Sequence, residues 1–324
     1  MPETPFLAGG PEPVNMSLDP AFNSVLEAFE EGLNPAEFTN QKDAEIIGYG
    51  EISSIFSLQK IPGYAFKRLP LFPNQLDADE YVKIYGNYCN LLCNAGLNIP
   101  ESQTHIIVKS GLPTVLYICQ KKLPASMFAH KLIHTLGQDQ IHGLLLRVVQ
   151  ETEKVWAYSA LKSPQMQFAL DAQLSNWVLE GDVKTGTLFY IDTSTPLYRF
   201  NGNEQLNPEL FLKSAMPGLR WIIRQFFLDD VINRYYDFSS VMTDLTANLY
   251  KEKRRDLIPQ MIQIINESQW VNSNPLTEKD IESYYKEDKR IWQIVQVSRR
   301  IHRWLTTKIF RNRYEFTLPD KIDR

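Results

Sequence analysis

The sequence has few cysteines, and their placement matches no metal or disulfide framework. Cys89, Cys93 and Cys119 are the three cysteines of the chain, and no Cys/His group around them has the spacing of a zinc site. Cys89 and Cys93 lie one helical turn apart, where small thiols commonly pack against apolar neighbours. We therefore expect reduced thiols in a packed core and no structural zinc.

The sequence also lacks the long apolar runs and the excess of positive charge that mark two classes of protein. No stretch of about eighteen uncharged apolar residues occurs, and residues 1–16 have neither a basic start nor an apolar core. The formal net charge is −4, from 34 basic and 38 acidic side chains, which gives no broad positive surface for a nucleic acid. We expect a cytoplasmic protein with neither a membrane nor a nucleic acid as partner. The sequence does not indicate the oligomeric state.

Two common catalytic patterns are missing as well. The sequence contains no Gly-x-Ser-x-Gly turn, which presents a nucleophilic serine, and no His-Glu-x-x-His helix, which binds catalytic zinc. None of the five histidines supplies the base of a Ser-His-Asp triad. Acyl transfer and zinc hydrolysis are therefore disfavoured.

What the sequence does contain is a set of polar residues at strand ends between residues 168 and 196. Asp171 and Asn176 have the spacing Asp-x-x-x-x-Asn, and Asp192 ends the apolar run 187–191. Carboxylate and amide oxygens suit Mg²⁺, and a carboxylate near a hydroxyl can orient or deprotonate it. The alternative is a β-hairpin with polar ends, since Asp and Asn are common in turns.

An upstream stretch, residues 47–67, carries glycines and a lysine. Gly48, Gly50 and Ser53 occupy the positions of a Gly-x-Gly-x-x-Gly loop, and Lys67 ends a second β-rich run. Glycines let a backbone approach phosphate oxygens and direct amide groups at them. Without Lys67 and the downstream motif, a plain strand–turn–strand is the better interpretation.

Taken in chain order, these motifs resemble those of the protein-kinase-like superfamily. The resemblance spans about residues 45–240 and is closest to the aminoglycoside and choline kinase-like phosphotransferases. It implies that Lys67 holds the phosphates of ATP beneath the glycine loop and that Asp171 is the catalytic carboxylate. It also implies that Asn176 and Asp192 bind Mg²⁺.

The resemblance implies further contacts around the nucleotide. A helical glutamate pairs with the strand lysine in such proteins, and Glu80 is the best-placed residue, with Asp77 second. The main chain at Gln120, Lys121 and Lys122 is expected to form a hinge that contacts adenine. In the larger lobe, the basic residues of 299–313 are interpreted as a solvated helix face.

Three departures from the fuller protein-kinase pattern leave two functions open. Ser53 replaces the third glycine, Ala169-Leu170 precedes the catalytic aspartate, and Thr193-Ser194 follows the metal aspartate. The first interpretation is an ATP- and Mg²⁺-dependent phosphotransferase that acts on a small-molecule hydroxyl. The alternative is an inactive kinase-like module, a pseudokinase that binds nucleotide or protein.

The fold implied is α+β and two-lobed, with a small antiparallel-sheet lobe that carries one helix and a mainly helical second lobe. We expect an arm and helix over residues 1–40, the small lobe over 41–120 and the helical lobe over 121–324. Residues 1–16 are expected to be a loose arm. Apolar spacing predicts seven helices, over 21–33, 74–95, 138–161, 217–236, 239–252, 255–270 and 278–310.

Overall fold

Six strands between Val14 and Lys121 form one sheet in the order β1-β5-β6-β4-β3-β2. Neighbouring strands are antiparallel, except that β1 runs parallel to β5. The structure, a computed structural model, describes residues 14–15, 20–41, 43–49, 54–207, 209–212, 228–271 and 274–318. The strands are β1 (Val14–Asn15), β2 (Ala44–Tyr49), β3 (Ser54–Leu58), β4 (Ile61–Phe72), β5 (Ser102–Ile107) and β6 (Thr114–Lys121).

Both faces of this sheet are covered, which explains the nearly continuous burial along β6 and the second half of β4. Helix α1 (Pro20–Gly32) packs on one face, against apolar residues such as Phe66. Helix α2 (Gln75–Asn94) packs on the other, against residues such as Leu69. Because side chains alternate along a strand, Arg68 faces α1 and Lys67 faces α2.

The remainder of the described chain is mainly helical. Its helices and two small sheets surround one large apolar cluster, and no helix in the described ranges is long and apolar enough to span a bilayer. The helices are α3 (Ala129–Leu132), α4 (Gln138–Lys162), α5 (Glu209–Leu212), α6 (Leu228–Tyr235), α7 (Phe238–Lys251), α8 (Ile258–Asn266) and α9 (Glu278–Trp304). The strands are β7 (Met166–Phe168), β8 (Trp177–Glu180), β9 (Thr187–Tyr190), β10 (Tyr198–Phe200) and β11 (Asn203–Glu204).

This mixture of an antiparallel sheet and helices agrees with the predicted α+β class, with two corrections to the predicted elements. Val14 and Asn15 pair with Ser102 and Gln103, so part of the predicted loose arm belongs to the sheet. The helix predicted over 255–270 stops at Asn266. The helix predicted over 217–236 lies largely outside the described residues, which include its end as α6.

Candidate functional site

Lys67 points from β4 toward α2 and is almost fully buried. Its Nζ lies 2.9 Å from Asp192 Oδ1 and 3.1 Å from Ser194 Oγ. The side chain of Lys67 is 7% exposed, and that of Asp192 is 27% exposed. A buried ammonium needs such a partner because an unpaired charge is costly away from water. The contact joins the large sheet to the segment that follows β9.

The Asp192 carboxyl is held in its charged form. Burial by itself would raise the pKa of Asp192, but the charge of Lys67 and the hydrogen bonds from Lys67 and Ser194 outweigh burial, so the pKa lies below its ordinary value. Both donors approach Oδ1, and no described residue donates a hydrogen bond to Oδ2. The second carboxylate oxygen of Asp192, Oδ2, can therefore still accept a hydrogen bond or bind a cation.

The hairpin of β8 and β9 brings the other predicted residues next to Asp192. The N–H of Ile191 donates to the carbonyl of Asn176 over 2.9 Å, which places Asn176 beside Asp192 at the open end of the hairpin. Asn176 Nδ2 donates to the carbonyl of Asp171 over 3.1 Å. The Asp-x-x-x-x-Asn segment is thus a closed loop whose two ends meet beside the lysine–aspartate pair.

A second contact anchors this loop to the helices behind it. The N–H of Gln173 donates to Asp171 Oδ1 over 3.1 Å, and Gln173 Nε2 donates to Asp244 Oδ2 over 2.9 Å. Tyr284 on α9 donates to Asp244 Oδ1 over 3.0 Å. Burial and the nearby charge of Asp288 raise the pKa of Asp244, although the bonds from Gln173 and Tyr284 lower it. Helices α7 and α9 therefore set the position of Gln173, and through it that of Asp171.

Three buried tyrosines join α2, which packs on the six-stranded sheet, to the segment after β9 and to the segment that precedes Asp171. The hydroxyl of Tyr81 donates to the carbonyl of Ser194, and that of Tyr88 donates to the carbonyl of Ala169 over 2.8 Å. Tyr85 lies between them and shares a hydrogen bond with Thr193. Apolar spacing predicted a helix over 74–95 without any role for its tyrosine hydroxyls. The missed signal is chemical, because a buried tyrosine hydroxyl needs a partner that leucine would not need.

Gln120 contacts the segment after β9 through its side chain, and the predicted main-chain contact with adenine stays a prediction. Its Nε2 donates to Thr193 Oγ1 over 3.0 Å and to the carbonyl of Ile191 over 3.2 Å. The N–H groups of Lys121 and Lys122 are already donated to the carbonyls of Glu101 and Gly63. These two N–H groups are therefore not available to an adenine ring in this arrangement.

A comparison with known families covers most of the chain. The family model described as "Family of unknown function (DUF6206)" matches residues 29–303. The chain belongs to this family. No curated protein matches it.

Two solved structures are similar to this DUF6206 chain at low identity. "WaaP in complex with acyl carrier protein" is 12% identical, with 70% of this chain and 96% of that chain covered and a TM-score of 0.33. The GDP complex of wild-type aminoglycoside 2'-phosphotransferase-IIIa is 10% identical, with 77% and 98% covered and a TM-score of 0.35. TM-scores this low carry no argument about the activity of this chain.

Glu80 does not pair with Lys67, contrary to the prediction. The inward face of α2 is taken by Tyr81 and the two tyrosines that follow it, which leaves Glu80 exposed. Asp77, the second choice, is exposed in the first turn of the helix. The carboxylate partner of the lysine is Asp192, in the segment after β9.

The glycine loop is described only at its base. Gly48 pairs with Ile55 inside the β2–β3 ladder, after a register shift at Ile46. Gly50 and Ser53, the remaining predicted positions, lie outside the described residues. Whether this hairpin covers phosphates stays a prediction.

The donor set suits Mg²⁺ only in the presence of further oxygen ligands. Asp192 Oδ2 and Asn176 Oδ1 are hard oxygen atoms at one end of the hairpin, and no described residue donates to either. No group of three or more His, Cys, Asp or Glu side chains in the described ranges could hold a metal ion. Mg²⁺ is commonly bound by one or two protein oxygens together with substrate phosphates. The residues therefore fit a metal that arrives with a nucleotide.

Proposed function

We propose that the chain is an ATP- and Mg²⁺-dependent phosphotransferase that acts on a hydroxyl of a small molecule. The observation that carries the proposal is the contact of buried Lys67 with Asp192, beside the loop that holds Asp171 and Asn176. In this proposal the arm and helix of residues 1–40 precede a kinase-like small lobe, residues 41–120. A helical lobe, residues 121–324, completes the two-lobed fold.

Each residue of the site has a distinct role in this proposal. Lys67 exchanges its carboxylate partner for a phosphate oxygen, and Asp192 and Asn176 then offer their spare oxygens to Mg²⁺. The bound metal would neutralise charge that develops on the phosphates. Asp171 orients the acceptor hydroxyl and receives its proton. The acceptor oxygen bonds to the γ-phosphorus as the bond to the ADP oxygen breaks.

The proposal is tested by Mg²⁺-dependent ATP turnover of Asp171→Asn. Loss of a group that orients or accepts the proton slows turnover by about 10²–10⁴-fold, while nucleotide binding is retained. Asp192→Ala should lose Mg²⁺-dependent binding. Glu80→Gln is the matched control, because Glu80 is exposed and should leave the rate unchanged. Undiminished turnover by Asp171→Asn would remove the assigned role.

The alternative, a pseudokinase, is favoured by one observation. Lys67 and Asp192 satisfy each other directly, and Ser194, at a position that departs from the protein-kinase pattern, bonds to both. A lysine that is already paired in this way does not need a phosphate as its partner. Mg²⁺–ATP binding without turnover, in protein that retains Asp171, would favour this alternative.

A further inference from the structure

The second half of α9 turns its apolar side outward. Ile294, Val297, Ile301 and Trp304 are between 44% and 59% exposed. Ser298 and Arg299, on the same turns, are buried at 7% and 3% exposed. A surface helix ordinarily buries its apolar stripe against the core. The four exposed residues, the α9 patch, are not covered by the described part of the chain.

The α9 patch is continuous along the helix. Its members are spaced by three, four and three residues, which places them on one side over about 15 Å. Ile309 and Phe310, at 52% and 66% exposed, follow directly after the helix. Contiguous exposed apolar residues of this kind mark surfaces that bind proteins or membranes.

The sequence around the α9 patch carries basic side chains, of which Arg299 is buried and Arg313 is paired with Glu30 and Glu315. Between Asp288 and Glu315 the sequence contains eight Lys or Arg residues and no Asp or Glu, although the whole chain has a formal net charge of −4. Arg300 is three residues after Val297 and four before Trp304, so it flanks the patch. Lys308 and Arg311 are exposed just beyond it.

We propose that the α9 patch docks on the surface of an anionic lipid bilayer. A helix with Trp and aliphatic residues on one side and Lys or Arg beside them lies in the plane of the bilayer, with its apolar side among the acyl chains. Basic side chains near the surface add attraction to anionic headgroups. A second copy fits the patch poorly, because pairing two such segments would bring Arg against Arg.

This mode of binding does not need a membrane-spanning helix. The expectation that no membrane is a partner rested on the absence of a long apolar run and on the overall negative charge. Neither observation describes the surface of residues 289–313, where the exposed side is apolar and the flank is basic. Long Arg and Lys side chains can lay their stems along the apolar side and keep their charges at the headgroups.

The test is co-sedimentation of the full chain with extruded vesicles. We expect binding to vesicles that contain about one third phosphatidylserine and little binding to pure phosphatidylcholine. Val297→Glu should lower the bound fraction at least tenfold. Val108→Glu is the matched control, since Val108 is 56% exposed and Val297 is 57% exposed. Val108 directly follows β5 of the six-stranded sheet and is not part of the α9 patch. Circular dichroism spectra confirm that both variants are folded.

The charge contribution is tested separately. Arg300→Gln and Lys308→Gln should each weaken binding to the anionic vesicles by about fivefold, and raised salt should act in the same direction. No nucleotide is needed in either assay, so the outcome is independent of the proposed phosphotransferase activity.

Several results would overturn the proposal. These are no binding to anionic vesicles at millimolar lipid, equal binding to both vesicle types, or equal binding by Val297→Glu and the unaltered chain. A lipid-free dimer in light scattering that Val297→Glu dissolves would assign the α9 patch to a second copy instead. If the chain binds polyglutamate but not vesicles, the α9 patch would be assigned to an acidic polypeptide.

Discussion

Lys67 and Arg68 are neighbours on β4, yet their side chains lie on opposite faces of the sheet and in different surroundings. Arg68 faces α1, where its guanidinium donates to Glu30 through Nε over 2.7 Å and through Nη2 over 2.8 Å. Its Nη1 donates to the carbonyl of Glu315 over 2.7 Å. Lys67 lies on the α2 face, where its carboxylate partner Asp192 is partly open to solvent.

The two clusters differ in whether their carboxylate oxygens can accept a further hydrogen bond. Glu30 receives Arg68, Arg313 and the hydroxyl of Tyr117, and it is 1% exposed. Burial would raise the pKa of Glu30, but the bonds and charge of Arg68 hold it below its ordinary value. This closed cluster fastens α1 and the C-terminal segment to the sheet. By contrast, Asp192 keeps one oxygen without a described partner, so the Lys67 pair can exchange partners.

The largest expected effect is on stability and comes from the closed cluster. Arg68→Met leaves Glu30 buried without its two-point partner, and breaking a buried pair in this way costs about 3–5 kcal/mol. Lys67→Met should cost about 1 kcal/mol, because Asp192 retains access to water. Urea denaturation measures both. Equal losses for the two variants would contradict the distinction between the clusters.

The next effect is on rate and comes from the helices behind the site. Asp244→Ala removes the acceptor that holds Gln173, and a small displacement of Asp171 should lower kcat by about tenfold with little change in KM. Thr243→Ala is the control, because Thr243 is next to Asp244 on α7 and its hydroxyl donates to the carbonyl of Ser239 rather than to Asp244 or Gln173. An unchanged kcat in Asp244→Ala would mean that the loop holds its shape without α7.

A smaller effect is expected from the α2 tyrosines. Tyr88→Phe deprives the buried carbonyl of Ala169 of its donor, which should cost about 1 kcal/mol of unfolding free energy. The same change at Tyr64, which is half-buried on the other face of the sheet, should cost less. Similar losses at both positions would show that the hydroxyl of Tyr88 has no special role.

The smallest effect is the pH dependence of the Lys67–Asp192 pair. Because the folded pKa of Asp192 is lowered, the pair stabilises the fold above the ordinary carboxyl pKa, and this contribution is lost as pH falls through the folded value. The stability difference between the unaltered chain and Asp192→Asn should therefore be present at pH 7 and shrink below about pH 4. A difference that grows in acid would contradict the direction of the shift.

The sequence indicated which polar residues lie together in the structure better than it indicated their partners, for a physical reason, and the functional roles of these residues stay predictions. Local motifs, whose spacing indicates a loop or a strand end, contain Lys67, Asp171, Asn176 and Asp192. Arg68 gives no local signal, because its contact with Glu315 spans 247 residues.

Helix phase explains the error at Glu80. The inward positions of α2 include Tyr81, and a residue one step earlier is turned about 100° away from it. Apolar spacing predicted α2 itself, but it could not show that the buried tyrosines of this helix also donate hydrogen bonds. Gln120 was predicted to lie in a hinge, whereas it belongs to β6, and the contacts of its side chain depend on residues 191–193, far away in sequence.

The most direct test of the central claim is a thermal-shift titration with ATP, with and without Mg²⁺. A ligand that binds only the folded state stabilises it by about 2.7 kcal/mol at a hundredfold excess over its dissociation constant. The account predicts a Mg²⁺-dependent shift in the unaltered chain that Lys67→Met and Asp192→Ala both abolish and that Glu80→Gln retains. The absence of any shift at millimolar Mg²⁺–ATP in well-folded protein, or a shift that survives both substitutions, would contradict it.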